Sequence, residues 1–464
     1  MAHSLKNTLD RLTTRRITIG VTGFARSGKT VFIGALAQAL LTADAWSTRR
    51  GQGPLAGFGP FERGQLRSAQ IRDDINPTLP QFPFRQVRDA LVSRSAHWPE
   101  PTEGISRLIL ELDALPEGGW RRWLTQKQLS TSRLQIELVD YPGEWLVDLG
   151  MLEQDYQQWS EQMLAQMQTP LRQPLASRYR QLIAQLPDAE QVDEDQVANL
   201  ADAWAEYLGK AAAKNLTLNQ PGRMLRPDNL KHSPVLRFAP LPPSVGSKAL
   251  FDHMRARFEQ YKSQVIKPFY QNHFARIDRQ VVLVDTLRAV QGGEAVFNEM
   301  TQSLEQTLHS FNYSKGSRLA RLMGARTSKV LFAATKADHV TRGDRANLEN
   351  MLRWMLAIID DHNRVRASAS DVAVMALASI KATEDYMTDQ PPRREILHGR
   401  PAGEDQADQW DPGGLPLDMP PDWQAVHFAF LNFQPPTMQD APLKGFPAIN
   451  LGRGLDFLIS ADLK

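Results

Sequence analysis

The sequence predicts an α/β fold: a six-stranded, mostly parallel sheet with helices on both faces and a phosphate loop at its first strand. Three observations predict it. Residues 23–30 read Gly-Phe-Ala-Arg-Ser-Gly-Lys-Thr, a complete G-x-x-x-x-G-K-[ST] loop. Short apolar, β-branched runs recur along the chain, and each ends in a polar motif, as strands buried on both faces do. The stretches between these runs carry Leu, Trp, Tyr and Met at helical spacing, which provides the crossovers that parallel strands need.

The phosphate loop has the flanks it requires. Ile17-Thr18-Ile19-Gly20-Val21-Thr22 reads as a buried strand, and Val31 to Leu41 reads as an Ala- and Leu-rich helix. Gly23 and Gly28 let the chain curl so that backbone N–H groups, Ser27 included, point at phosphate oxygens. The helix N-terminus adds its partial positive charge. Lys29 is the expected contact to the β- and γ-phosphates, and Thr30 the expected hydroxyl ligand of Mg²⁺.

Further strand ends carry the remaining motifs. Leu134 to Val139 ends in Asp140-Tyr141-Pro142-Gly143, a D-x-x-G. Asp140 is expected to hold Mg²⁺ through a water, and the Gly143 N–H to contact the γ-phosphate and release it after hydrolysis. A second apolar run, Val281 to Asp285, also ends in Asp but lacks the following Gly, so Asp140 is preferred. Lys329 to Ala334 ends in Thr335-Lys336-Ala337-Asp338, the [NT]-K-x-D pattern of GTP-binding proteins. A carboxylate at Asp338 can accept from guanine N1–H and the 2-amino group together. Adenine lacks both donors and would leave a buried carboxylate unpaired, so selectivity on the order of 10⁴ is reachable. Lys336 is expected along the base plane. Val374 to Lys381 ends in Ser379-Ile380-Lys381, a weaker guanine-loop candidate with Ile in place of Ala. These motifs define a P-loop NTPase of G-domain type, with GTP/GDP and Mg²⁺ as cofactors.

Four passages resemble one family: Asp140-Tyr141-Pro142-Gly143-Glu144-Trp145, the loop end Arg26-Ser27-Gly28-Lys29-Thr30, Phe269 to Phe274, and Leu331 to Val340. They look like the YcjX family of bacterial GTP-binding stress proteins, over nearly the whole chain. The resemblance implies a GTPase with large insertions. It also implies work in the envelope or phage-shock stress response beside a membrane-embedded partner.

The expected strands are Ile17–Val21, Ser106–Leu112, Leu134–Val139, Val281–Val284, Val330–Ala334 and Val372–Leu377, with only the second antiparallel. In G proteins the second and third motifs lie close together. Here they are far apart, so a helical domain is expected at 146–275. Its candidate helices are Met151–Met167, Gln196–Ala213 and Leu250–Phe274, with a Pro-rich loop at Asn219–Gly246. The remaining divisions are 1–42, an insertion at 43–101, 102–145, and 276–464 with a surface excursion near 386–424. Val426–Phe430 reads as a strand and Leu455–Leu463 as a closing helix. Thr102 is the candidate switch threonine for Mg²⁺, with Ser106 the nearest alternative.

Two side chains are candidates for completing hydrolysis. Glu144 follows D-x-x-G, where many small GTPases place a water-orienting Gln. Its charge near the γ-phosphate argues for slow turnover, and a solvent-facing switch residue is the alternative reading. Arg26 sits where the similar loop of guanylate-binding proteins and atlastins carries an Arg that swings in when two G domains meet. That similarity implies a finger supplied within a transient homodimer. Two other readings are a nucleotide-stabilised interaction scaffold with little hydrolysis, and an ATPase in which T-K-x-D is accidental.

Composition sets outer limits. The 464 residues hold 42% hydrophobic side chains, enough for a full core. Basic and acidic side chains number 54 and 52, a net +2 that gives no nucleic-acid signature. The absence of cysteine excludes disulfides, thiolate metal sites and a thiol nucleophile. No run approaches a membrane span, and residues 1–16 lack an apolar signal core. The expected location is the cytoplasm, with peripheral contact at the inner membrane as a further option.

Overall fold

The computed structural model describes residues 14–73, 79–100, 104–115, 132–188, 190–316, 328–360, 371–389, 391–417, 419–420, 422–423, 429–438 and 440–463. Its centre is a seven-stranded sheet. The strands are β1 (Thr14–Gly23), β2 (Leu66–Arg72), β3 (Ser106–Ala114), β4 (Ser132–Asp140), β5 (Arg279–Val284), β6 (Lys329–Ala334) and β7 (Asp371–Ala376), in the order β2-β3-β4-β1-β5-β6-β7. Strands β4, β1, β5, β6 and β7 pair in parallel. β3 runs against both of its neighbours.

All six expected strands are present, and β3 is the one that runs against the rest. The count of six is corrected to seven by β2, which lies inside the segment read as an insertion. The reason for the omission is physical. Central strands are covered on both faces and read as apolar runs; β5 is buried at every position. β2 is an edge strand of sequence LRSAQIR with mostly exposed side chains, so no hydrophobic run marks it.

Successive residues of β5 serve opposite faces, as strand geometry dictates. Val281 and Leu283 join one core with Phe32 and Leu36 of α1 (Lys29–Leu41) and Val87 of α2 (Phe84–Val92). Val282 and Val284 join the other core, which is continuous with the helices between β4 and β5. Among them are α3 (Glu144–Val147), α4 (Tyr156–Met167), α5 (Ser177–Ala184), α6 (Glu194–Ala213) and α7 (Lys248–Tyr261). Trp159, Trp204, Tyr207 and Phe258 are buried in that core, with Trp159 and Phe258 ring centroids 5.2 Å apart. The helix expected over Met151–Met167 starts later, because Asp155 caps α4 in a full capping box. The one expected over Leu250–Phe274 is interrupted by a π turn at Lys262–Ile266.

After β5 come α8 (Thr286–Gln291) and α9 (Glu294–Gly316). Arg172 fastens the α4–α5 connection to α9. Its guanidinium is 1% exposed and donates to both carboxylate oxygens of Glu299, at 3.0 and 2.7 Å. It also donates to Tyr207, Asn219 and the Leu218 carbonyl, so the buried charge is fully paired. α10 (Arg345–Asp360) follows β6. Beyond β7 a small antiparallel sheet forms from β8 (Thr383–Met387), β9 (Glu395–Gly399) and β10 (Asp408–Trp410). Of the strand expected at Val426–Phe430, residues 426–428 lie outside the described residues, and Ala429 and Phe430 have irregular backbone. The chain closes with α11 (Leu451–Ile459) and a 3₁₀ turn to Leu463. Among the described residues no helix is long and apolar enough to cross a membrane.

Candidate functional site

The carboxyl ends of β1, β4, β5 and β6 converge on one cleft of about 600 Å³. One end is built by the loop between β1 and α1. Gly28 has φ 92°, a left-handed conformation that costs glycine little. It places Lys29 and Thr30 in the first turn of α1, facing the cleft with Arg26 and Ser27. The Lys29 ammonium donates to the Gly23 carbonyl at 2.5 Å and to the Phe24 carbonyl at 3.4 Å, so it is already folded over the loop. Arg26 is exposed at φ 67°. The Ser27 hydroxyl is buried and has no hydrogen-bond partner among the described residues.

The D-x-x-G segment lies against this loop. A Cβ on Gly143 would sit 2.6 Å from the Gly23 carbonyl oxygen, so only glycine allows the approach. Asp140 is 1% exposed, in register with Val21 of β1 and Ser106 of β3. Ser106 has a buried hydroxyl without a hydrogen-bond partner among the described residues. Thr102 lies outside the described residues. Glu144 is 8% exposed and lines the cleft, so the solvent-facing reading does not describe its position.

The other end is formed by the T-K-x-D and Ser-Ile-Lys turns. Thr335 is buried, and its hydroxyl donates to the Val284 carbonyl at 3.2 Å. Lys336, at φ 61°, pairs with Asp285 at 2.7 Å and reaches Asn432 at 3.3 Å. Asp338 is 2% exposed, and one carboxylate oxygen accepts from the Ala382 N–H at 2.7 Å. Ser379 lines the cleft beside it. His339 is held below the usual imidazole range, mainly by burial and despite the neighbouring Asp338 carboxylate.

Several lining residues had no sequence signal. Trp98 enters from the segment after α2, and its indole N–H donates to the Phe433 carbonyl at 2.7 Å. Phe430 to Phe433 line the end formed by the T-K-x-D turn. Asn215 and Arg226 arrive from the region between β4 and β5. Arg288 of α8 also lines the cleft. Burial holds its guanidinium below the ordinary arginine range, the Asp285 carboxylate opposes that, and the Arg26 charge adds to it. Of these, only Arg288 was accessible to sequence reasoning, since it closely follows the β5 strand that ends at the same edge.

The segment after Gly143 is fixed rather than free. The Asp148 carboxylate accepts from the Gly222 N–H at 2.8 Å and the Tyr261 hydroxyl at 2.6 Å. Burial raises its pKa to about 7, against the opposing pull of the Tyr261 and backbone hydrogen bonds. The sign follows from linkage. The folded protein keeps a proton that the unfolded chain loses near pH 4, so this group's contribution is full below that pH and is lost as pH rises towards 7. Wild type should therefore lose stability relative to Asp148→Asn between pH 5 and 7, by roughly 1.4 kcal/mol per unit at most. Paired thermal melts across that range check this; a wild-type stability that rises relative to the variant with pH contradicts it.

Fold and site together describe an α/β protein whose G-x-x-x-x-G-K-T loop and T-K-x-D turn line one cleft, with the D-x-x-G glycine packed against that loop. The chain belongs to the YcjX-like family, DUF463, whose pattern it matches over residues 17–463. It is 34% identical to a protein of Escherichia coli (strain K12) named "Ras-like GTPase YcjX", over 99% of both chains. It is 33% identical to a Shewanella oneidensis protein of the same name, over 98% of this chain and 96% of that one.

Proposed function

We propose that this protein is a P-loop GTPase of G-domain type that binds GTP and GDP with Mg²⁺ and hydrolyses GTP slowly. The observation that carries this is the convergence of four separate motifs on one cleft, with phosphate-type groups at one end and base-type groups at the other. The names of its relatives point the same way. The Lys29 ammonium and the loop N–H groups bind the β- and γ-phosphates. Asp338 reads guanine N1–H and the 2-amino group with Ser379 beside it, while Thr335 and Lys336 shape the base end.

Mg²⁺ fits the residues present. Among the described residues no group of three acidic or histidine side chains gathers, and Mg²⁺ on a nucleotide does not need one. The Thr30 hydroxyl and Asp140, with Thr102 or Ser106, would hold it, and the buried Ser27 and Ser106 hydroxyls, without a partner among the described residues, support that reading. When bound, the metal ion neutralises phosphate charge. Glu144, buried beside the loop, orients the attacking water, while its own charge slows the reaction.

Arg26 is proposed as a finger that engages when two copies meet. It is exposed, on the loop itself, and needs only a rotamer change. Arg26→Ala should keep GTP affinity within about tenfold and lower turnover by at least ~100-fold, given the 10³ to 10⁵ such groups contribute. Wild-type turnover per molecule should rise with protein concentration. Steady-state phosphate release across a concentration series decides, and unchanged turnover in the variant removes Arg26 from this role.

A scaffold with little hydrolysis is the second reading, favoured by the immobilised segment around Asp148. Single-turnover phosphate release separates the two. The setting we propose is the envelope or phage-shock stress response, with peripheral contact to a membrane-embedded partner, on the family resemblance. Failure to sediment with inner-membrane vesicles from stressed cells would count against it.

A further inference from the structure

We propose that Arg226 is an arginine finger that the chain supplies to its own nucleotide. The proposal rests on the GTPase reading above and adds a residue from the region between β4 and β5 to the reaction.

Arg226 is presented to the cleft by a segment, Gln220 to Arg226, that is bound to the backbone around Glu144. The Gln220 amide donates to the Val147 carbonyl. The Gly222 and Arg223 N–H groups donate to Asp148, at 2.8 and 3.4 Å. The Trp145 indole N–H donates to the carbonyl of Arg226 itself, at 3.1 Å. The Arg223 guanidinium lies over the Trp145 ring, 3.2 Å from its centroid, a cation–π contact. A Cβ on Gly222 would fall 1.9 Å from the Glu144 carbonyl oxygen, so the two backbones are in direct contact. Arg226 and Glu144 are therefore carried by one rigid unit.

The side chain itself points to an anion. Arg226 is half-buried and lines the cleft together with Arg26, Lys29, Thr30, Glu144 and Asn215. Among the described residues its guanidinium makes no ion pair and donates no hydrogen bond. Arg223, three residues earlier, by contrast stacks on Trp145 and faces Asp228 at 3.9 Å. A guanidinium in this position matches the fork geometry of a phosphoryl group. In hydrolysis the water oxygen bonds to the γ-phosphorus, and the bond from that phosphorus to the β,γ-bridging oxygen breaks. The electron pair leaves on GDP, and the water's protons pass to inorganic phosphate and solvent. Arg226 neutralises the charge that gathers on the γ and bridging oxygens. Because it belongs to the same chain, its contribution does not depend on protein concentration, unlike a finger exchanged between two copies.

The test uses the full chain with Mg²⁺. Arg226→Ala should lower single-turnover GTP hydrolysis on the order of 10² to 10³ at every protein concentration. Affinity for GDP and a fluorescent GTP analogue should stay within about threefold, and the melting temperature should not change, because the side chain has no partner to lose. The variant should fail to trap GDP with aluminium fluoride where wild type succeeds. Arg226→Lys, which keeps the charge but loses the fork, should recover less than about a tenth of the rate; if the alanine variant is unstable, this variant carries the test. Unchanged hydrolysis overturns the proposal. So does an equal loss of GTP and GDP affinity, which would make Arg226 a binding cation only. A wild-type protein that neither binds nor hydrolyses GTP overturns the GTPase reading first, and is seen without any variant.

Discussion

Replacing Asp338 with Asn should move base preference from guanine to xanthine by on the order of 10³ or more. Asp338 is 2% exposed at the end of β6, with one carboxylate oxygen accepting from the Ala382 N–H at 2.7 Å. That bond fixes the carboxylate plane and leaves its remaining acceptor capacity to the cleft. Guanine offers two donors there. Asn offers one acceptor and one donor, so guanine's 2-amino group would meet an N–H. Xanthine carries a carbonyl in that place and restores both bonds. Leaving such a buried group unpaired costs several kcal/mol across the two bonds. Competition of GTP and XTP against a fluorescent nucleotide measures the swing. A guanine preference in the variant unchanged from wild type would show that Asp338 does not read the base.

Lys29→Ala should remove at least ~100-fold of GTP affinity, about 3 kcal/mol. The ammonium is half-buried and, among the described residues, donates only to the Gly23 and Phe24 carbonyls of its own loop. Its loss should therefore spare folding and act on phosphate binding. Calorimetric titration checks both, and wild-type affinity in the variant would sink the phosphate-loop assignment.

The central strands were legible because burial on both faces leaves a continuous apolar signature, and the ends of β1, β4 and β6 carry motifs. β2 was not legible, because an edge strand with exposed side chains carries no such run. The ends of the cleft differ in the same way. Gly23 to Thr30, Gly143 and Asp338 are local patterns on strand ends and can be read one residue after another. Trp98 and Phe433 meet through a hydrogen bond that spans 335 positions, and no local pattern encodes that. Arg226 lies within the Pro-rich stretch Asn219–Gly246, which reads as loop. Its place beside Glu144 depends on Gly222 fitting against the Glu144 backbone, which only tertiary packing reveals. Glu144 was legible as a candidate, but its burial was not.

The central claim is that this cleft selects a guanine nucleotide. Its most direct measurement is displacement of a fluorescent GTP analogue from the wild-type protein in Mg²⁺ by unlabelled GTP and by ATP. The account predicts that GTP displaces it stoichiometrically near its binding constant, while ATP fails at roughly 10³-fold higher concentration. ATP that competes as well as GTP would contradict it.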